Sequence, residues 1–247
     1  MQNDVWDPDP GQTQEIQVND QTGAFTVIGS SANDNHVSSY PSIVKGNAWG
    51  LATANSGLPM QVSGLNVETS WNISTINSGR WDAAYDIWFQ NASQLSSTSS
   101  YSAEMMIWLS YTVQNPSSWY RGMVSIAGTG WDVYYCVFSG WNYIAYERIS
   151  NTTYESFNLN TFAEDAVSRG YIQNSWYLVA VEAGFEISQG GVGLASNSFS
   201  VTPVQIKAEG SFVWWPLITI AAVVIAIAIA IAAAYVLRRK KQAQQHI

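Results

Sequence analysis

One cysteine, Cys136, and two histidines, His36 and His246, are all that this 247-residue chain offers of those residue types. A single cysteine excludes an internal disulfide. Two histidines so far apart make neither a zinc site nor the base of a Ser-His-Asp triad. Metal and serine-hydrolase chemistry are set aside, and no cofactor is expected. Cys136 lies in "DVYYCVF", which reads as buried strand carrying an inert thiol. Bases are scarce as well: 10 Lys and Arg face 18 Asp and Glu. All eighteen acids precede residue 212, with six bases among them, and the other four bases are Arg238, Arg239, Lys240 and Lys241. A surface this acidic repels nucleic acid and anionic headgroups, but not neutral ligands such as sugars. It would also suit an acidic habitat, where carboxylates are partly protonated.

What the chain does have is aromatic and polar: 12 Trp and 13 Tyr, with charged residues only 11%. Segments of alternating character recur, among them "AFTVIGS", "WDAAYDIWFQ", "EMMIWLSYTV", "WDVYYCVF", "NYIAYERI" and "SWYLVAVEAGFEI", punctuated by Gly, Asn, Ser and Pro. One helix is expected in "NTFAEDAVSRG", with a Thr161-x-x-Glu164 capping box, apolar Phe162, Ala166 and Val167, and Gly170 as its stop. Many strands and one short helix predict an all-β sandwich or jelly roll of two antiparallel sheets.

From Phe212 to Leu237 run 26 residues without a charge. As a helix they exceed the roughly 30 Å hydrocarbon core, and Trp214, Trp215 and Tyr235 sit where interfacial aromatics belong. "RRKK" follows, so the positive-inside tendency puts residues 238–247 in the cytoplasm and the large domain outside. The chain is thus expected to be a single-pass cell-membrane protein, its lipid-bilayer contact made by 212–237, with residues 208–211 as a short tether. "MQNDVWDPDP" has no basic n-region and no apolar h-region, so either a signal peptide has been removed or the start lies upstream. Sequons at Asn72, Asn91 and Asn151 agree with an exterior location.

In "AEMMIWLS", Glu104 opens a strand with no base nearby, a costly arrangement unless the acid faces water or does chemistry. Strand alternation points Met105, Ile107 and Leu109 into the core and Glu104, Met106 and Trp108 the other way. In "WDAAYDIWF", Trp81, Ala83, Tyr85, Ile87 and Phe89 share one face, leaving Asp82, Asp86 and Trp88 on the other. In "YLVAVEAGFEIS", Val179, Val181, Ala183 and Phe185 face inward and Glu182, Gly184 and Glu186 outward. Three strands thus each present an acid on the non-core face, which reads either as a solvated outer surface or as a binding face.

"YPSIVKGNAWG" (40–50), "AAYDIWF" (83–89), "AEMMIWLSY" (103–111) and "VEAGFEISQGGVGLASNSFSV" (181–201) resemble, in order, the motifs of glycoside hydrolase family 12, the β-jelly-roll endo-β-1,4-glucanases and xyloglucanases. The likeness runs from about Asn3 to Val201 and implies a hydrolase domain over residues 1–207. It implies that Glu104 is the nucleophile, Glu186 the acid/base and Asp86 a hydrogen-bond partner of the nucleophile. It further implies that Trp6, in "NDVW", stacks on a sugar, and that Trp49, Met106 and Trp108 line the substrate cleft. Three departures stand out. Ser188 replaces an aromatic after "AGFE-x", Ala48 replaces a frequent histidine, and only Met1 and Gln2 precede "NDVW", where the family carries at least one further strand.

The expected activity is polysaccharide degradation by a cell-surface endoglucanase. It would cleave β-1,4-linked glucan (cellulose, mixed-linkage glucan or xyloglucan) with retention, through a glycosyl-enzyme intermediate. The alternative is a non-catalytic jelly-roll module that only binds polysaccharide, although a binder gains nothing from paired acids.

Overall fold

Strand alternation decides most of the architecture. A computed structural model describes residues 1–93, 101–138 and 140–204. In chain order its elements are β1 (Gln2–Val5), β2 (Gln14–Asn19), β3 (Ala24–Ser30), β4 (Ser39–Ala48), β5 (Leu51–Ala52), β6 (Met60–Gln61), β7 (Val67–Ser74), β8 (Arg80–Gln90) and β9 (Ala103–Tyr111). They continue with β10 (Tyr120–Ile126), β11 (Thr129–Phe138), β12 (Trp141–Arg148), β13 (Tyr154–Asn158), α1 (Asn160–Ser168), β14 (Tyr177–Gln189) and β15 (Ala195–Pro203). The larger sheet runs β1-β4-β14-β8-β9-β12-β11-β10, with β5 on β4 and β6 on β14, and the smaller runs β13-β7-β15-β3-β2.

Between the sheets lies one aromatic-rich core. Trp81, Ala83, Tyr85, Ile87 and Phe89 of β8 join Met105, Ile107 and Leu109 of β9 and Val181, Ala183 and Phe185 of β14 there, as the alternation predicts. Trp71 of β7 is fully buried among them, its indole N–H donating to Ser196 Oγ at 2.9 Å. Truncating a side chain so placed typically costs about 3–5 kcal/mol.

Three expectations need correction. The larger sheet is not purely antiparallel, because β12 pairs with β9 in parallel. Two reversals, β10 to β11 and β11 to β12, bring the chain back from the sheet edge in the direction that β9 already has. Val179 does not face the core. A register shift between Leu178 and Ala180 adds a residue, so Val179 packs with Ala180, Trp88 and Ala48 on the opposite side. The capping box is not formed either. Thr161 Oγ1 donates to Asn158 O instead, and Glu164 accepts from Asn160 Nδ2. Phe162 and Ala166 are buried as expected, and Gly170 closes the helix at φ 76° with its N–H on Val167 O.

Register shifts also fall between Ala83 and Ala84 on β8–β9 and between Ile187 and Gln189 on β14–β8. The first falls between Asp82 and Asp86 and the second just after Glu186, and bulges increase local twist. At the same level β14 presses close on β4. A Cβ added to Gly184 would meet Pro41 O and come within 2.6 Å of Ser42 Cβ. Gly184→Ala should therefore cost about 1–3 kcal/mol in denaturant unfolding, and an unchanged midpoint would contradict this packing.

The expected membrane span 212–237, the tether and the basic tail lie outside the described residues. Among the described residues no helix is long and apolar enough to cross a membrane.

Candidate active site

The outward face of the larger sheet is built in register rows. On β8 the outward residues are Asp82, Ala84, Asp86 and Trp88. Across to β14, Asp86 stands opposite Glu182 and Asp82 opposite Glu186. Across to β9, Trp88 stands opposite Glu104, Asp86 opposite Met106 and Ala84 opposite Trp108. Beyond β9, Tyr143 and Glu147 of β12 stand opposite Glu104 and Trp108. Five carboxyls therefore share the outward face of three neighbouring strands. The three ion pairs among the described residues are His36–Asp7, Arg148–Glu155 and Arg169–Asp165, and none involves these five acids.

Register alone puts Glu182 nearer Glu104 than Glu186 is. Yet Glu186 raises Glu104 more than Glu182 does.

Burial, with no cation near, sets the electrostatics. Glu104 is pushed up to about 8, first by burial and then by the charge of Glu186, against the pull of the Trp141 indole N–H, which donates to Glu104 Oε2 at 2.7 Å. Glu186 is also raised by burial, while a hydrogen bond with Asp82 pulls it down. Asp82 and Asp86 are both held well above the carboxylate range, by burial first and then by neighbouring acids. Glu182 is raised to about 7, chiefly by burial; Ser42 Oγ and Gln2 Nε2 donate to its Oε2 at 3.1 and 2.9 Å. Trp88 lowers both Asp86 and Glu182, although its indole N–H completes no hydrogen bond of ordinary geometry. Two half-buried carboxyls, one able to ionise and one able to hold a proton, on a face lined by indoles, are the equipment for cleaving a glycosidic bond.

The sequence profile of Glycosyl hydrolase family 12 matches residues 1–203. The chain belongs to this family. Endoglucanase S of Pectobacterium parmentieri is 31% identical over 198 residues, covering 76% of this chain and 75% of that protein. Among solved structures, endoglucanase cel12A from Rhodothermus marinus is 44% identical with a TM-score of 0.77, over 83% of this chain and 91% of that one. The family 12 xyloglucanase from Bacillus licheniformis, in complex with ligand, is 33% identical with a TM-score of 0.73, over 81% and 90%. The all-β two-sheet sandwich with one short helix fits these family 12 structures.

Within this family 12 domain, the residues singled out from sequence fall into three groups. Glu104, Glu186 and Asp86 share the outward face. The hydrogen bond expected from Asp86 to Glu104 is not formed: the charge of Glu104 raises Asp86, and the donor that Glu104 has is Trp141. Met106 and Trp108 also lie on this face but are almost wholly buried, with Met106 Sδ accepting from Trp108 Nε1 at 3.5 Å and lying 3.4 Å from Tyr143 OH. They support the floor rather than expose a sugar-binding surface. Trp49 is 57% exposed and its ring lies 5.1 Å from that of Trp88 and 6.4 Å from that of Trp141. Trp6, 55% exposed after β1, has no ring contact with that cluster.

Sequence reading missed several participants. Trp141 lies in "GWNYIAY", where nothing in the pattern separates it from other strand aromatics. Tyr143 OH donates to Asn115 Oδ1, and the fully buried Glu147 holds Asn115 through its backbone N–H at 2.6 Å and its Nδ2 at 3.0 Å. Cys136 is half-buried rather than a core thiol. It stands opposite Tyr143 against the Met106 cluster, and burial followed by the charge of Glu104 pushes its thiol up.

Proposed function

We propose that the chain is a retaining endo-β-1,4-glucan hydrolase of the cellulase type. In this reading residues 212–237 hold it at the cell surface, with the hydrolytic domain outside and the basic tail in the cytoplasm. The placement of Glu104 and Glu186 on one aromatic-lined face carries the proposal. Each is raised by burial, and the charge of Glu186 disfavours that of Glu104, so the pair favours a state with one proton between them over the doubly ionised one. With that proton on Glu186, the Glu104 carboxylate attacks the anomeric carbon while Glu186 protonates the leaving oxygen. Glu186 then takes a proton from water, whose oxygen displaces Glu104 from the sugar. The Trp141 N–H stabilises the ionised Glu104 before attack and keeps its second oxygen oriented.

The relatives named endoglucanase and xyloglucanase support a β-1,4-glucan substrate: cellulose, mixed-linkage glucan or xyloglucan. Incubating the full chain with carboxymethylcellulose, β-glucan and xyloglucan and scoring new reducing ends tests this. Release on at least one is expected; binding without release on all three would leave a polysaccharide-binding module.

Trp49 offers a sugar platform at a conformational cost. With Gly50 it forms the two-residue turn between Ala48 and Leu51, at φ 50° and 85°. A left-handed backbone costs a bulky L-residue about 1–2 kcal/mol, and asparagine tolerates it better. Trp49→Asn is expected to leave the melting temperature equal or higher while raising KM roughly tenfold. An unchanged KM would remove Trp49 from substrate binding.

A further inference from the structure

Asp82 has no part in a two-carboxyl mechanism, yet it stands directly opposite Glu186 across the β8–β14 pair. It is 1% exposed, and its Oδ1 has no hydrogen-bond partner. As register partners on one face of the sheet, the Asp82 and Glu186 carboxyls are immediate neighbours, and two such carboxyls sit side by side at low cost only with a proton between them. Nothing around it supplies a compensating charge. From β14 it faces Glu186, from β12 Glu147 and from its own strand Asp86, and the charges of all three disfavour its own. Tyr111 of β9 is its register partner, and Tyr40 of β4 and Tyr143 of β12 feel its charge. Arg80, the cation nearest in sequence, is exposed at the start of β8.

Resting on the hydrolase reading, the consequence follows from counting protons. When Glu186 gives its proton to the leaving oxygen it becomes a half-buried anion beside the buried Asp82. An ionised Asp82 would set two negative charges side by side at that moment, its own fully buried. A protonated Asp82 instead donates its O–H to the new carboxylate. The productive state therefore has protons on both Asp82 and Glu186 and none on Glu104. We propose that Asp82 is a positioning residue that keeps its proton while Glu186 gives its own to the departing sugar, and that this third carboxyl confines activity to acid pH.

The test is the pH profile of kcat/KM for the full-length chain and two variants, on whichever glucan the wild type hydrolyses. Asp82→Asn provides an N–H donor to Glu186 at every pH, so its alkaline limb should move up by roughly one to two pH units. Asp82→Ala removes the donor, so kcat should fall at all pH values and the loss should be recovered by asparagine but not by alanine. An Asp82→Asn profile that superimposes on the wild type, or moves toward acid, overturns the proposal. Equal kcat in the Ala and Asn variants overturns it as well. A wild type inactive on every glucan would instead defeat the hydrolase reading, so the two failures are distinguishable.

Discussion

Glu104→Gln and Glu186→Gln are each expected to abolish most hydrolysis of a glucan, but to differ on a substrate whose leaving group needs no proton. Loss of a general acid typically costs about 10²–10⁴-fold, and loss of the nucleophile at least as much. On an aryl cellobioside with a dinitrophenolate leaving group, Glu186→Gln should form the glycosyl-enzyme almost normally, because nothing has to be protonated. Glu104→Gln should remain inactive on both substrates. Folding should survive in each variant. An amide has the shape of the acid it replaces and carries no charge for burial to disfavour at either position. Near-normal rates in either variant would exclude that residue from the reaction. Activity of Glu104→Gln on the activated substrate would reverse the two roles.

The second large effect concerns stability. Asp82, Asp86, Glu104, Glu182 and Glu186 all have native pKa values above their ordinary ones, with Glu104 at about 8 and Glu182 at about 7. Between the unfolded value near 4 and each native value, the folded state binds more protons than the unfolded one, so stability falls as pH rises. The contribution is complete below about pH 4 and is lost through the window that ends near 7 for Glu182 and near 8 for Glu104. Each proton that the folded state holds in excess is worth about 1.4 kcal/mol for every pH unit climbed, and a domain of this size loses about 2–4 °C per kcal/mol. Unfolding is therefore expected at a temperature at least roughly 10 °C lower at about pH 7.5 than at about pH 4.5. Differential scanning calorimetry across that range measures it. A melting temperature that rises with pH would mean that these acids are ionised and satisfied in the fold.

Faces were legible in the sequence because a strand's side-chain period is two and β8 keeps it without interruption through Trp81–Phe89. The placement of Val179 was not, since a bulge breaks the period and leaves no mark in the local pattern. The parallel β9–β12 pair was equally hidden: pairing depends on where the chain returns, not on the composition of either strand. Among the site residues, Glu104, Asp86 and Glu186 stood out as acids in apolar strands. Trp141 and Glu147 did not, because their significance comes from what they touch across the sheet. Asp82 was visible on the outward face of "WDAAYDIWF", but its role depends on the β8–β14 register, which sets it against Glu186. The burial of Met106 and Trp108 followed from neighbours on β11 and β12 that alternation on β9 alone could not supply.

Trapping the reaction at its covalent stage examines the central claim most directly. A 2-deoxy-2-fluoro cellobioside with a dinitrophenolate leaving group slows breakdown of the glycosyl-enzyme more than its formation, so the adduct should accumulate on the full-length chain. Peptide mass spectrometry should then find the added disaccharide as an ester on Glu104 alone. An adduct on Glu186 or Glu182, or turnover of natural glucan in which the first product has the α configuration, would contradict the account.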